Sequence, residues 1–578
     1  MITFEHPFEQ QLFDLQMQKW DKAYDPEVRL VRSYRGKNGY HSRLSDCMVH
    51  EIRASFSYAY DLLRRDAPGD RQRAYDILYR DIPLQDINPS RKTYGIWQYY
   101  LEEDLEEMNP PDWNWADFNG KDQLRMLLHC GDALTDDLKM RMKDSVYHAC
   151  QAIIRRNVGP DYTNISVMGS YVTLIAGEMF GWKDIFDYGK QRLQKLYDYN
   201  KAAGSFREFN SPCYTFVVMY DLTALQDDVQ DPDCKAMAGQ LLDMAWETIA
   251  IHYHAATGQM AGPHDRAYGM MLSLANKFAI ERALDYKIRL IDDYSVFNLT
   301  NIEPDPFRQK LRCPRRLIPY FTDSGREQVL DQTFAHGRMA YTYLNPAYTV
   351  GSLHLEEAWN QHRNVLGYFG TVQAPVGFNL KCLHDQWDYC SALMATVQDH
   401  GRVLTGINFM TDAGDTHCNL DMVKNASISA EDLRLRYLFE GAVGDLTVRQ
   451  AGPHTFTVES PCGTSLTVDF AYTVFDGRPV SFELVRTETM IGIDAVLYHG
   501  PRTVLNFGAM ETAAAAVTLE IRQGEPAPAA AVSAAENGSL TTVFHNLKVS
   551  VAMKPDTRQN QTAHTRLFRD GQRYAPAF

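Results

Sequence analysis

The chain lacks the short signatures that mark several common chemistries. Its 578 residues contain no GxGxxG, no GxxxxGKS/T and no GxSxG. The first lets a backbone approach a dinucleotide, the second cradles phosphates, and the third presents a serine nucleophile. Nicotinamide redox chemistry, P-loop phosphoryl transfer and serine esterase chemistry are therefore disfavoured. No CxxC pair occurs among the ten cysteines, which are scattered from Cys47 to Cys462. They read as buried thiols of a reducing compartment rather than metal or redox pairs. No apolar run approaches 18 residues, so no membrane-spanning helix is expected. The N-terminus has no basic stretch followed by an apolar one, so no signal peptide is expected and the expected location is cytoplasmic. A formal net charge of −15 argues against nucleic acid and anionic membranes as partners.

What the chain has is length, apolar residues and rings. At 578 residues it exceeds one hydrophobic core, so two or three domains are expected. Apolar residues make up 45%, and there are 32 Tyr and 8 Trp, more than packing alone needs. Such rings have an apolar body and a polar edge, which suits the faces of sugars.

The hydrophobic period changes once along the chain. Up to about residue 325, apolar residues recur at helical spacing. The helical segments are 49–63, 121–128, 138–154, 171–180, 182–199, 214–225, 232–255 and 267–290. Gly, Pro, Asn and Asp clusters break them, and ten to thirteen helices of 10–20 residues fit. Beyond residue 336 the period becomes two, as at 455–459, 465–470, 481–485, 502–507, 516–521, 541–544 and 547–551. The Ala-rich run 513–516 fits a short helix or a strand, and 524–533 reads as an exposed loop. The predicted fold is a helical domain over 1–330 followed by an antiparallel β-sandwich over 331–578.

Two polar clusters interrupt the helical half. One is Gly262-Pro263-His264-Asp265-Arg266-Ala267-Tyr268, read as a loop entering a helix over Met270 to Asn276. The other, about fifty residues earlier, is Arg207-Glu208-Phe209-Asn210-Ser211-Pro212-Cys213-Tyr214. Together they are expected to form opposite walls of one cleft. The bland alternative gives His264 and Asn210 to helix caps, Arg266 to an ion pair and Tyr268 to packing. A third cluster, His354 with Trp359, Gln361 and His362, follows the change of period and either borders substrate or ties the domains together. Asn164 and Glu178 lie on an otherwise apolar helix. Histidine and aspartate also recur at His384, Asp385 and Asp388 and at Asp412, Asp415 and His417, without strong metal spacing. They leave room for a structural divalent metal, while no cofactor is expected in the chemistry.

A helical half followed by antiparallel sheets resembles the (α/α) toroid plus β-sandwich carbohydrate-active enzymes. These include the heparinase II/III-like and hyaluronate-lyase-like polysaccharide lyases and related glycoside hydrolases. The resemblance implies a cleft across the toroid, with one wall supplied by the sandwich, and an acidic oligosaccharide or polysaccharide fragment as partner. Hyaluronate-lyase-like enzymes use an Asn, His, Tyr and Arg set, which here implies Asn210, His264, Tyr268 and Arg266. Here the Arg falls between His and Tyr, a departure from that pattern. In β-elimination, Asn210 and Arg266 would bind the uronate carboxylate, and His264 or Tyr268 would remove the C5 proton. Arg207, Tyr214, Asn164, Glu178, His354, Trp359, Gln361 and His362 would border the substrate. Two other readings stay open. A hydrolase of the same architecture would use Glu208 or Asp265 as general acid or base, and a glycan-binding protein would need no proton transfer at all. Homo-oligomerisation is left open.

Overall fold

The computed structural model describes residues 4–37, 40–298, 305–355, 358–413 and 423–574. Helices dominate the first part, to Thr322, and strands the second, where the first strand of the large sheets starts at Gln328 and one short helix, Arg558–His564, intervenes. Ten helices have ten or more residues among the described residues: α1 Pro7–Ala23, α2 Ile52–Arg65, α3 Asp70–Asp81, α4 Trp115–Cys130, α5 Asp136–Arg156, α6 Thr163–Phe180, α7 Lys183–Ala203, α8 Tyr214–Asp228, α9 Pro232–His252 and α10 Leu274–Ala283.

Eight of these form four successive hairpins, α2–α3, α4–α5, α6–α7 and α8–α9, and α2, α4, α6 and α8 also pack one against the next. Their burial explains the arrangement. Side chains of α6 are buried on every face from Thr163 to Gly177, as a helix surrounded by others requires. By contrast α5 buries a stripe, Leu138, Met142, Val146, Ala149 and Ile153, and keeps charge on its other face. Local signals fix its ends: Thr135 accepts a hydrogen bond from the Leu138 amide, Asp136 and Asp137 fill the first turn, Arg155 and Arg156 the last, and Asn157 closes it in the left-handed conformation.

Three sheets stack in the second part. The largest, nine-stranded, runs in the order Ser481–Arg486, Met490–Asn506, Ser427–Gly441, Pro375–His384, Val365–Gly370, Tyr348–Leu353, Arg338–Asn345 and Gln328–Phe334, with Trp387–Asp388 paired to Pro375–His384 off this path. It packs on a six-stranded sheet through a core that includes Phe378, Tyr437, Phe456 and Val517. The other face of the six-stranded sheet packs on a five-stranded one through Leu393, Leu404, Ala514, Ala516 and Val549.

Several sequence expectations are corrected. Residues 49–51 belong to the strand Cys47–Glu51, and the helix begins at Ile52. The segment read as a helix over 267–290 is helical only over Leu274–Ala283, because the backbone of residues 264–267 is bonded to Gln361 and Arg363 instead of to its own next turn. The helix read to 255 stops at His252, where Tyr253–His254 pairs with Gln259–Met260. The Ala-rich run, for which helix and strand were both open, lies in the strand Ala513–Gln523. That strand is covered on both faces, and small alternating side chains let two sheets close on it.

The helical and β parts meet along residues 261–271. The Gly262 carbonyl accepts from Thr342 Oγ1 at 2.7 Å. His264 and Arg363 exchange backbone hydrogen bonds of 3.2 and 2.9 Å, and the Ala267 amide donates to Gln361 at 2.8 Å. Gly351 makes this approach feasible, since a β-carbon there would land on the Gly262 carbonyl. A Gly351→Ala substitution is expected to cost about 3 kcal/mol of stability in urea unfolding. An unchanged midpoint would show that the two backbones do not touch.

Candidate active site

The inner helices α4, α6 and α8 present their N-terminal ends to one another. Asn114, just before α4, donates to the Tyr162 hydroxyl at 3.3 Å, just before α6. Asn164, in the first turn of α6, donates to Glu208 from its backbone amide at 2.9 Å and from its side chain at 2.8 Å. Tyr214, the first residue of α8, donates to the Tyr268 hydroxyl at 2.6 Å. Each helix start carries a partial positive charge, so together they make a region favourable to anions, and Glu208 already occupies part of it.

Arg266 stands at the centre. Its guanidinium lies 4.0 Å from the Tyr214 ring centroid and 5.0 Å from that of Tyr162. Nε donates to Gln361 at 3.0 Å, and Nη1 is bonded to Glu208. Burial pushes the Glu208 carboxyl up, against the pull of Arg266 and Asn164. Its two oxygens accept from both Asn164 donors and from Arg266. A protonated carboxyl would turn an O–H against one of these donors, so the ionised pair satisfies the site. Burial also acts to lower the Arg266 pKa, but Glu208 and Tyr214 outweigh it and raise it. Burial raises Tyr214 above the usual phenol range despite Arg266 beneath it, so it stays a donor. Tyr268, which accepts that hydrogen bond, is 60% exposed.

Asp265 points the other way. Its carboxylate is bonded to Arg207 and Arg338, with His362 Nε2 at 3.3 Å. Burial acts to raise its pKa, but Arg338, His362 and Arg207 overcome it and hold the group below the usual carboxylate range. The cluster joins the loop before α8, the 261–271 segment and the large sheet.

Asn210 and His264 come together, but not in an open cleft. Asn210 adopts φ 47 and donates to the carbonyls of Ala261 and Pro263 at 2.7 and 2.9 Å. It is 1% exposed, and His264 is fully buried. Burial lowers the His264 pKa to about 3, so its ring is neutral at ordinary pH. This corrects the expectation that these two groups touch a ligand directly. A single bridge to Arg363 holds His264 in the interface, and the bends at Asp265, Arg266 and Tyr268 let Tyr268, four residues on, reach the surface. Nor is Asn210 a cap: Ser211 Oγ accepts from the Tyr214 amide at 3.0 Å.

Other expected residues separate. Glu178 lies at the far end of α6, about 21 Å along the helix from Asn164 at 1.5 Å per residue. There it accepts from the amides of Gln230 and Asp231, ahead of α9. His354 is buried and its Nδ1 meets the Met339 amide at 2.9 Å, within the β part. Trp359 is partly exposed beside Asn360 and Gln361. No group of three or more His, Cys, Asp or Glu side chains suited to a metal occurs among the described residues. Of the candidates, Asp388 is paired with Lys381 and Arg363 and Asp385 with Arg502; Asp415 and His417 lie outside the described residues. Two surface cavities of about 490 and 410 Å³ lie elsewhere on the helical part, around Tyr294 and Asp86. Sequence reasoning missed Tyr162, whose place just before the Asn164 helix was the available signal, and Arg338, which had none.

The chain was compared with known proteins. A family model described as a domain of unknown function (DUF8769) matches residues 10–282, a span that includes Asn164, Glu208 and Tyr268 but ends before the three large sheets. No curated protein matches the chain. Among solved structures, the chain is similar to heparinase III, with a TM-score of 0.48, 10% identity and coverage of 96% of this chain and 92% of that one. It is also similar to a chondroitin AC lyase from Streptomyces coelicolor, with a TM-score of 0.43, 10% identity and coverage of 95% and 86%. A heparan sulfate lyase from Pedobacter heparinus gives a TM-score of 0.37, 10% identity and coverage of 96% and 90%. These are polysaccharide lyases, the group that the order of helices and sheets resembles. No helix among the described residues is long and apolar enough to cross a membrane.

The buried histidines give the site a pH signature. Burial lowers His252 and His254 to about 4, alongside His264 at about 3. Unfolding returns each to an ordinary imidazole of roughly pKa 6.5. The unfolded state therefore binds more protons below that pH. Stability is complete above about pH 6.5 and falls as pH drops towards 4, by about 1.4 kcal/mol per pH unit for each histidine. Urea unfolding between pH 7.5 and roughly pH 4.5 reads this slope, and His264→Asn is expected to flatten it. A slope unchanged in that variant would remove His264 from the account. Separately, Glu208→Ala leaves Arg266 buried without its carboxylate, and is expected to cost about 3–5 kcal/mol by thermal or urea unfolding.

Proposed function

We propose that the protein is a glycan lyase that cleaves a uronic-acid-containing oligosaccharide or polysaccharide by β-elimination. The observation that carries this reading is the exposed Tyr268 hydroxyl, which accepts a 2.6 Å hydrogen bond from Tyr214 beside the Arg266 guanidinium. In this reading the four helical hairpins form an open (α/α) toroid, residues 1–330, and the β-sandwich of 331–578 supplies the facing wall through Gln361.

The elimination breaks the C5–H bond and the bond from C4 to the glycosidic oxygen. The C–H electron pair becomes the C4=C5 double bond, and the C4–O pair leaves on oxygen. Arg266 and the helix N-termini neutralise the uronate carboxylate and stabilise the charge that spreads onto it. Tyr268, as the phenolate, takes the C5 proton and then gives it to the departing oxygen. Tyr214 stabilises that phenolate by donating to it, and Arg266 lowers the cost of negative charge in the pair. Atoms balance without water: the products are an unsaturated uronate end and a free hydroxyl.

The hydrolase reading is weaker on this geometry. It needs two carboxyl groups facing one bond, whereas Glu208 and Asp265 are both buried and spent in ion pairs. Asn210 and His264 enter the proposal as positioning residues behind Tyr268.

The test is incubation with glucuronate-, iduronate- and galacturonate-containing oligosaccharides, read as new ultraviolet absorbance from an unsaturated uronate. Tyr268→Phe is expected to lower kcat by about 10²–10⁴-fold with the fold intact, and Tyr214→Phe by roughly tenfold. Saturated products would favour hydrolysis, and binding without turnover over the whole panel would favour a glycan-binding protein.

A further inference from the structure

A second polar cluster lies beside Tyr268, on the wall supplied by the large sheet. Lys381, on the strand Pro375–His384, places Nζ 2.9 Å from Asp388 Oδ1. The other Asp388 oxygen is 3.3 Å from Arg363 Nη1. Two cations thus share one carboxylate. Arg363 also grips the site itself: Nη2 donates to the Tyr268 carbonyl at 2.8 Å. Nη1 donates to the carbonyls of His362 and Asn360 at 2.8 and 3.2 Å. Its side chain is only 4% exposed, yet Nε–H is buried with no hydrogen-bond partner among the described residues. A buried donor on a cation is costly to leave unmade.

The surroundings offer little to quench it. Arg436, opposite Lys381 in register, is committed to Asp494 at 2.7 and 2.6 Å. Glu440 acts on Lys381 only through space. Burial, reinforced by Arg363, lowers the Lys381 pKa, while Asp388 pulls it up; an added anion would relieve that strain between cations. Lys381 and Asp388 remain partly open to solvent, at 17% and 23% of their side chains. The adjoining tight turn, with Asp385 and Gln386 both at positive φ, carries Trp387, whose ring is partly exposed. A cation pair suits a sugar bearing an oxyanion.

We infer that Lys381, with the buried Arg363 charge behind it, forms an oxyanion subsite on the sheet wall of the cleft, taking the carboxylate or sulfate group of a sugar neighbouring the one at Tyr268. This rests on the glycan reading above, but its test needs no turnover. The probes are sodium glucuronate and sodium sulfate, with glucose as the uncharged control, titrated against the full chain and read by intrinsic tryptophan fluorescence and calorimetry. Saturable binding of glucuronate identifies a carboxylate subsite, and of sulfate alone a sulfate subsite. Lys381→Met is expected to weaken that binding about tenfold with an unchanged thermal midpoint, and Lys381→Arg to restore it. Asp388→Asn removes the competing carboxylate and is expected to tighten it. Tyr268→Phe should lose turnover while keeping the binding. The subsite is overturned if neither anion binds, or if Lys381→Met binds as the parent does. Lysine-dependent anion binding without any cleavage would sink the lyase reading and leave the subsite standing.

Discussion

One buried carboxylate holds the candidate site together. Asp265 bonds to Arg207 in the loop before α8 and to Arg338 in the large sheet, with His362 close by. It therefore ties three stretches far apart in sequence. A charge removed from water this completely needs several partners, and none of the three alone would repay its desolvation. With all of them present, the segment 261–271 is clamped between helices and sheet. Everything nearby follows from that clamp, since Arg266 must face the helix starts once Asp265 faces the sheet.

The same clamp divides the labour among neighbouring side chains. The backbone bends at Asp265, Arg266 and Tyr268, so neighbouring side chains take separate directions. Asp265 enters the ion cluster, Arg266 meets Glu208 and the Tyr rings, and His264 is sealed against the sheet. Tyr268 falls where the segment leaves the sheet and so stays exposed. Glu208 shows the same economy, satisfying the α6 start and fixing Arg266 at once. A residue that looked like a free acid in sequence is a structural counter-ion in space.

The arrangement also explains how a chain of net charge −15 could hold an acidic ligand. Local potential counts more than the total. In the proposed lyase, helix N-termini and Arg266 would face the ligand from one wall and Lys381 from the other, while Glu208 and Asp265 are already neutralised by ion pairs. Surplus negative charge elsewhere on the surface is largely screened over a Debye length of roughly 8 Å in physiological salt.

Much of the fold was legible in sequence. The switch from a 3.6-residue to a two-residue period marks the passage from helices to sheets, because side-chain direction along a helix or strand is a local property. The breaks between helices were legible for the same reason. The two polar clusters around 208 and 265 were also visible, as residue types that a core does not need. What sequence could not decide was direction and partner. Whether residues 262–270 form a helix depends on a sheet that begins some seventy residues later, and the Ala-rich strand owes its form to layers on both faces. Burial of His264, exposure of Tyr268, the distant place of Glu178 and the recruitment of Arg338 and Arg363 all arise from contacts between remote segments. Local sequence sets which groups are available and how the chain bends; only the closed tertiary structure, through desolvation and long-range pairing, chooses which of them meet water.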